Sequence, residues 1–192
     1  MSIRGSLAAA TVLVSALPLS GCSDDSSATE SSETPASPTA SASPDLPDDA
    51  MSTEPARPKD KKTPESAVEF GRHVVESVWY ANQQGDASSL MALDDDESCT
   101  NCASIQDSIE ETAAKGHRQL LASDVEITGA TLLDRSTDTW VAGIAFTRPK
   151  LTEYDEAGKS VGSVGPEDLF MEIGMQWRGS HWEIFNLRYA EN

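Results

Sequence analysis

Four kinds of apolar spacing follow one another along this 192-residue chain. Leu7 to Leu19 (LAAATVLVSALPL) is a mainly apolar run of 13 residues, short of the roughly 20 that a helix needs to cross a bilayer. From Ser23 to Pro58 large apolar residues nearly vanish, leaving Leu46 and Met51. Ala67, Phe70, Gly71, Val74, Val75, Val78 and Ala81 then recur at three-and-four spacing, which predicts a helix with one buried face. Thr63 can cap that helix, Pro64 suits its first position and Glu65 suits its dipole. Gly85-Asp86 stops it after about Gln84. Ala87 to Leu93 (ASSLMAL) predicts a short second helix turning Leu90, Met91 and Leu93 to the core. A third spans Asn101 to Lys115, with Gly116 as its C-cap.

Beyond Gly116 the period falls to two. Val125 and Ile127 alternate with acids. Trp140, Ala142, Ile144 and Phe146 form one series, and Leu169, Met171, Ile173, Met175 and Trp177 form another. Trp182 to Tyr189 make a more evenly apolar strand, joined to the series before it by a hairpin turn at Arg178-Gly179-Ser180-His181. Residues 148 to 167 read as a long loop. Helices first and a meandering antiparallel sheet after them predict an α+β domain, with the first helix packed into a curved sheet.

The first apolar run acquires a meaning from what closes it. Arg4 precedes it, and Leu19-Ser20-Gly21-Cys22 follows at once. That box resembles the lipobox of bacterial lipoproteins, in which a peptidase cuts before a cysteine that carries lipid. The expectation is a signal peptide at 1–21, not a transmembrane helix. Cys22 then carries a diacylglyceryl thioether, with chains such as palmitate. Two or three chains at about 0.8 kcal/mol per buried methylene are a lasting anchor where one is not. This places the mature protein at the cell membrane, lipid-anchored on the extracytoplasmic face.

Residues 22–58 are the lipidated cysteine and its tether. Ser23 to Pro58 holds 9 Ser, 4 Thr, 6 Pro, 6 Ala and 8 acids among 36 residues. Such a segment buries too little surface to offset ordering costs of about 1–2 kcal/mol per residue, so disorder is expected. Its Ser, Thr and Pro also fit O-linked sugar. Residues 59–192 are long enough for one domain with a real core. Without residues 1–21, and so without Arg4, the chain has 13 Lys and Arg against 32 Asp and Glu, a formal charge of −19. That excess repels nucleic acid and anionic head groups. The expected partners are the membrane, through lipid at Cys22, and a small apolar ligand or an envelope protein.

The order of elements carries a second resemblance. A long first helix ending in WYANQQGD, the small helix ASSLMAL and the hairpin MQWRGSHWEIF look like the nuclear transport factor 2-like (cystatin-like) superfamily of cone-shaped domains. Within it, TPESAVEFGRHVVESVWYANQQGDASSLMAL followed by CTNC is similar to an actinobacterial lipoprotein family of unknown function. The resemblance is best from Thr63 to Cys102 and weaker through 148–167. It implies the fold and the anchor and brings no established activity, since superfamily members range from enzymes to binding modules.

Among candidate sites, Cys99-Thr100-Asn101-Cys102 carries the most chemistry. With Cys22 given to lipid, two thiols in an oxidising compartment favour a disulfide. Redox exchange at a helix N-terminus and zinc binding are the alternatives. No strand pattern precedes Cys99 as a thioredoxin-like unit requires, and no second ligand pair completes a zinc site. Asp94, Asp96 and Ser98 imitate the start of an EF-hand loop, but Cys99 stands where glycine is needed and Ile105 where the bidentate glutamate belongs. The acids therefore read as a solvated loop. Of His73, His117 and His181, only His73 is placed to look into a cone, toward Glu69 or Glu76. Trp79, Trp140, Trp177 and Trp182 either line the mouth of that cone, where rigid rings suit a ligand, or fill the core. No GxSxG, HExxH or phosphate-cradling loop occurs, and no cofactor or metal is indicated. The expectation is a non-enzymatic binding module. The alternative is a small isomerase- or dehydratase-like enzyme with acid and base converging in the cone.

Overall fold

The computed structural model describes residues 51–94 and 99–190. The signal run, Cys22 and most of the tether lie outside them, as do Asp95, Asp96, Glu97 and Ser98. Helix α1 runs Pro64–Gln84. Thr63 is extended (φ −128°, ψ 154°) and its side chain accepts the Ser66 N–H, while Gly85 takes the left-handed conformation (φ 67°) that ends the helix. All seven apolar-face residues named from the sequence are buried. Helix α2 is Ser88–Met91, shorter than predicted, with Leu90 and the following Leu93 buried and Met91 half-buried. Helix α3 is Thr100–Ala114, and its cap falls on Lys115, with Gly116 left-handed behind it (φ 70°).

Seven strands follow: β1 Arg118–Leu121, β2 Glu126–Arg135, β3 Thr139–Arg148, β4 Leu151–Tyr154, β5 Ser160–Val164, β6 Glu167–Arg178 and β7 His181–Ala190. The larger sheet is antiparallel in the order β2-β3-β6-β7. The predicted hairpin closes it, with Arg178 opposite His181 and Gly179 at φ 69°. Its inner face carries Trp140, Ala142, Ile144 and Phe146 from β3 and Met171, Ile173 and Met175 from β6, all buried against α1. Gly71 permits this approach, because a Cβ there would stand 3.1 Å from that of Ala142.

The evenly apolar look of β7 has a structural cause. The register skips between Gly174 and Met175, so that Asn186 faces Gly174 while Ile184 faces Met175 and Phe185 is the extra residue. Trp182 and Ile184 point inward before the bulge, and Leu187 points inward after it.

Two expectations change. The loop at 148–167 is largely a hairpin: β4 and β5 pair, and β4 also pairs with β1, giving a second sheet in the order β1-β4-β5. All five residues of β5 are exposed, so no apolar alternation marked it. Its turn is held instead by Asp155, whose Oδ1 accepts the N–H groups of Ala157 and Lys159. The tether boundary at Pro58 also moves. Met51 is buried in the core at 8 % exposure, and Gln84 donates to its carbonyl. Arg57 donates to the Trp182 carbonyl, Asp60 accepts the Trp182 N–H and the Lys61 carbonyl accepts the Trp182 indole. Residues 51–61 thus form a strap across α1 to the start of β7, because one apolar residue and one cation in a polar stretch find partners that composition does not reveal.

Candidate functional site

The candidate residues separate into different places. Trp140 and Trp182 are 1 % and 0 % exposed, with ring centroids 4.9 Å apart, and Trp177 meets Trp182 edge-on at 5.0 Å. Their indole N–H groups already have acceptors: Trp140 donates to the Ser136 carbonyl and Trp182 to that of Lys61. These two tryptophans are packed in the core.

Trp79 differs. It sits one turn before the end of α1, and its Nε1 is buried with no hydrogen-bond partner among the described residues. It forms one wall of a cavity of about 260 Å³ between α1, α3, β1, β4 and the end of β7, with Val78, Asn82, Ser104, Ile105, Ser108, Gln119, Leu151 and Tyr189. Arg148 lies beside this wall, its guanidinium carbon 5.9 Å from the Trp79 ring centroid. That side chain is 4 % exposed. Its Nη2 donates to Glu167 and to the Gly165 carbonyl, whereas Nη1 has no partner among the described residues. Gln83, one turn further along α1, uses its Oε1 to accept the Leu121 N–H and leaves Nε2 unpaired. Three buried N–H donors near the end of α1 therefore lack acceptors among the described residues. Loss of hydration pushes the Tyr189 hydroxyl up to about 12, against the lowering effect of Arg148 and with a further raising effect from Glu167. The direction holds although 47 % of the residue's surface is exposed, because exposure averaged over the residue does not measure the hydration of its hydroxyl. Neither Arg148 nor Tyr189 was singled out from the sequence. An arginine closing an apolar strand (VAGIAFTR) is the signal that was there to find.

His73 faces a separate groove, of about 380 Å³, formed by the strap, α1 and the α2 region. It is 5 % exposed, and its Nδ1 has no partner among the described residues. Burial is the main cause that pushes its pKa below the ordinary value, with Arg57 adding to the effect and Asp60 opposing it. Neither Glu69 nor Glu76 is among the residues of this groove. Glu76 instead lines a third hollow with Met51, Ser52, Thr53, Pro55, Asp124 and Val125, where burial raises its pKa. The other two histidines pair with carboxylates: His117 Nδ1 lies 2.6 Å from Glu153, and His181 Nε2 lies 2.9 Å from Glu183.

Cys99 and Cys102 form a disulfide, both residues buried. Asp94 accepts the Cys99 N–H at 2.9 Å, so the first acid of the acidic run braces the entry to α3. The rest of that run lies outside the described residues. Among those described, no group of three His, Cys, Asp or Glu residues converges as metal ligands would, and no helix is long and apolar enough to cross a membrane.

Comparison with known proteins gives a family and several likenesses. No curated protein matches the chain. The intermembrane space region of the chloroplast protein ARC6 is similar at 12 % identity and TM-score 0.46, covering 65 % of this chain and 97 % of its own. Aln2 from a Streptomyces species is similar at 11 % identity and TM-score 0.44, covering 69 % and 94 %. An ntf2-like protein with a cystatin-like fold from Novosphingobium aromaticivorans is similar at 15 % identity and TM-score 0.35, covering 62 % and 80 %. Residues 52–188 match the family of unknown function DUF6318, and the chain belongs to that family.

Proposed function

We propose that this member of DUF6318 is an actinobacterial envelope lipoprotein, anchored through Cys22 on the extracytoplasmic face. Its α+β domain acts as a non-enzymatic binding module. The ligand is a small, largely apolar molecule with a hydrogen-bond-accepting end, held in the cavity beside Trp79.

The observation that carries this reading is the buried, acceptor-less Nε1 of Trp79, a residue that lines that cavity, with the unpaired Nη1 of Arg148 beside the Trp79 ring. An unpaired buried donor costs about 1–3 kcal/mol, and more when it is charged. A carbonyl or carboxylate entering the cavity recovers that cost. Val78, Ile105 and Leu151 supply the apolar contact that rejects a fully polar guest. The enzymatic alternative needs a converging acid and base. This cavity instead presents amides and hydroxyls from Asn82, Gln119, Ser104, Ser108 and Tyr189, and a phenol held near 12 is a poor proton donor at neutral pH. The anchor rests on the Leu19 to Cys22 box together with the polar stretch behind it.

Native mass spectrometry of the full chain taken from its own membranes tests both parts. The expected result is a lipidated Cys22 and a retained small molecule that Arg148→Met or Trp79→Phe releases without loss of the circular dichroism signal. An unmodified amino terminus overturns the anchor. A chain that is empty in wild type and variants alike, with water serving the donors, overturns the cavity reading.

A further inference from the structure

The groove under the strap is a different place from the Trp79 cavity and has its own unexplained chemistry. Two of its polar atoms are buried and unpaired among the described residues, His73 Nδ1 from α1 and Ser89 Oγ from α2. A third group, the Arg57 guanidinium, arrives from the strap. Arg57 is held in position by Asp60 at 3.1 Å, by the Trp182 carbonyl and by the face of Phe70, whose ring centroid lies 5.0 Å from its central carbon. Ser77, also in the groove, donates its proton to the His73 carbonyl at 2.8 Å and keeps its oxygen toward the helix. Two elements and the strap thus bring an imidazole, a hydroxyl and a cation to one hollow, with Ala92 and Leu93 as its apolar floor.

We infer that this groove is a second ligand site, which takes the oxyanion of a small carboxylate- or phosphate-bearing molecule between His73 Nδ1–H, Ser89 Oγ–H and the Arg57 guanidinium.

An oxyanion answers all three groups at once. A carboxylate or phosphate oxygen accepts from an imidazole N–H, from a hydroxyl and from a guanidinium, and hydrogen bonds to charged groups are about twice as strong as neutral ones. An apolar guest would leave His73 and Ser89 as costly as before. Glu54 also borders the groove; it and Arg57 are both exposed, so solvent screens both charges, and the two buried donors set the preference for an acceptor. The groups that act electrostatically on His73, Arg57 and Asp60, both belong to the strap. A ligand here therefore binds the segment that continues into the tether, as well as the domain.

The chain contains three histidines, and the two paired with Glu153 and Glu183 serve as internal references. The experiment is a titration of the full chain, labelled in its imidazoles, with sodium acetate and separately with inorganic phosphate at constant ionic strength, read by NMR. The expected result is a saturable shift confined to His73 and a rise in its pKa when the anion is bound. Arg57→Gln and Ser89→Ala should each weaken binding about tenfold, with the reference histidines unmoved. Saturation by acetate alone assigns a carboxylate ligand, and saturation by phosphate alone a phosphorylated one. No saturable shift with either anion, equal shifts at all three histidines, or unchanged affinity in folded Arg57→Gln protein would overturn the proposal. None of these outcomes depends on the Trp79 cavity, so either site can fail without the other.

Discussion

At the scale of single residues, His73 is the clearest case of position changing chemistry. An imidazole with an ordinary pKa near 6.5 is pushed lower by burial and by the neighbouring Arg57. The unfolded chain then takes up a proton at a higher pH than the folded chain does. Stability from this group is complete above about 6.5 and declines as the pH falls toward the folded value. Glu76 works in the opposite sense, since burial raises its carboxyl above the ordinary 4.5 and so favours the folded state as acid is added. The two are separated by substitution. Urea unfolding of wild type and His73→Gln between pH 5 and 8 should show a loss of stability on acidification in wild type, and a shallower one in the variant. Parallel curves would mean that His73 is hydrated in solution. Trp79 and Trp182 make the same point without titration. Both are tryptophans against the core, yet Trp182 has an acceptor for its indole N–H and Trp79 has none among the described residues.

At the scale of elements, what could be read in advance depended on whether an element is held by its own side chains. Helix α1 and strands β3 and β6 bury one face, and burial writes a period into the sequence, so their extents and inward residues were legible. The β4–β5 hairpin is held by backbone pairing and one aspartate in its turn. The strap is held by a few long-range contacts. Neither leaves a period. The strap yields a direct test, because a disordered tether through Pro58 would make Met51 energetically silent. With Met51 at 8 % exposure, Met51→Ala in the full chain should cost about 2–3 kcal/mol by denaturant titration. Ser52→Ala, at an exposed position, should change stability by less than about 0.5 kcal/mol. Equal and negligible effects would return the boundary to Pro58. The same reasoning explains the uneven legibility of the candidate sites. Cys99 and Cys102 lie three apart on one helix entry, so their pairing was local. The groups around His73 come from the strap, α1 and α2, and no spacing rule joins them.

At the scale of the whole molecule, the proposed anchor, tether and strap form one continuous line of chain, from lipid to polar linker to the groove beside α1. If Cys22 is the anchor, Cys22→Ser should move the protein from the membrane to the soluble fraction while leaving the fold unchanged, as judged by fractionation and circular dichroism. Retention of the variant in the membrane would point to another attachment. The excess of acids, 32 against 14 Lys and Arg over the whole chain, gives Arg57 and Arg148 added weight. Cations are scarce in this protein, and two of them stand beside hollows containing unpaired polar atoms.

The amino-acid sequence by itself determined the α+β class, the long capped helix, the alternating strands and the close pair of cysteines. All of these follow from local spacing, which the geometry of helices and strands converts directly into faces. Only the tertiary structure decided which tryptophans are core and which one meets a cavity, that His73 belongs with Arg57 and Ser89, and that Arg148 reaches Trp79. Those relations join residues far apart in the chain. Whether a donor finds its acceptor, and whether a charge stays hydrated, depends on what folding brings beside it.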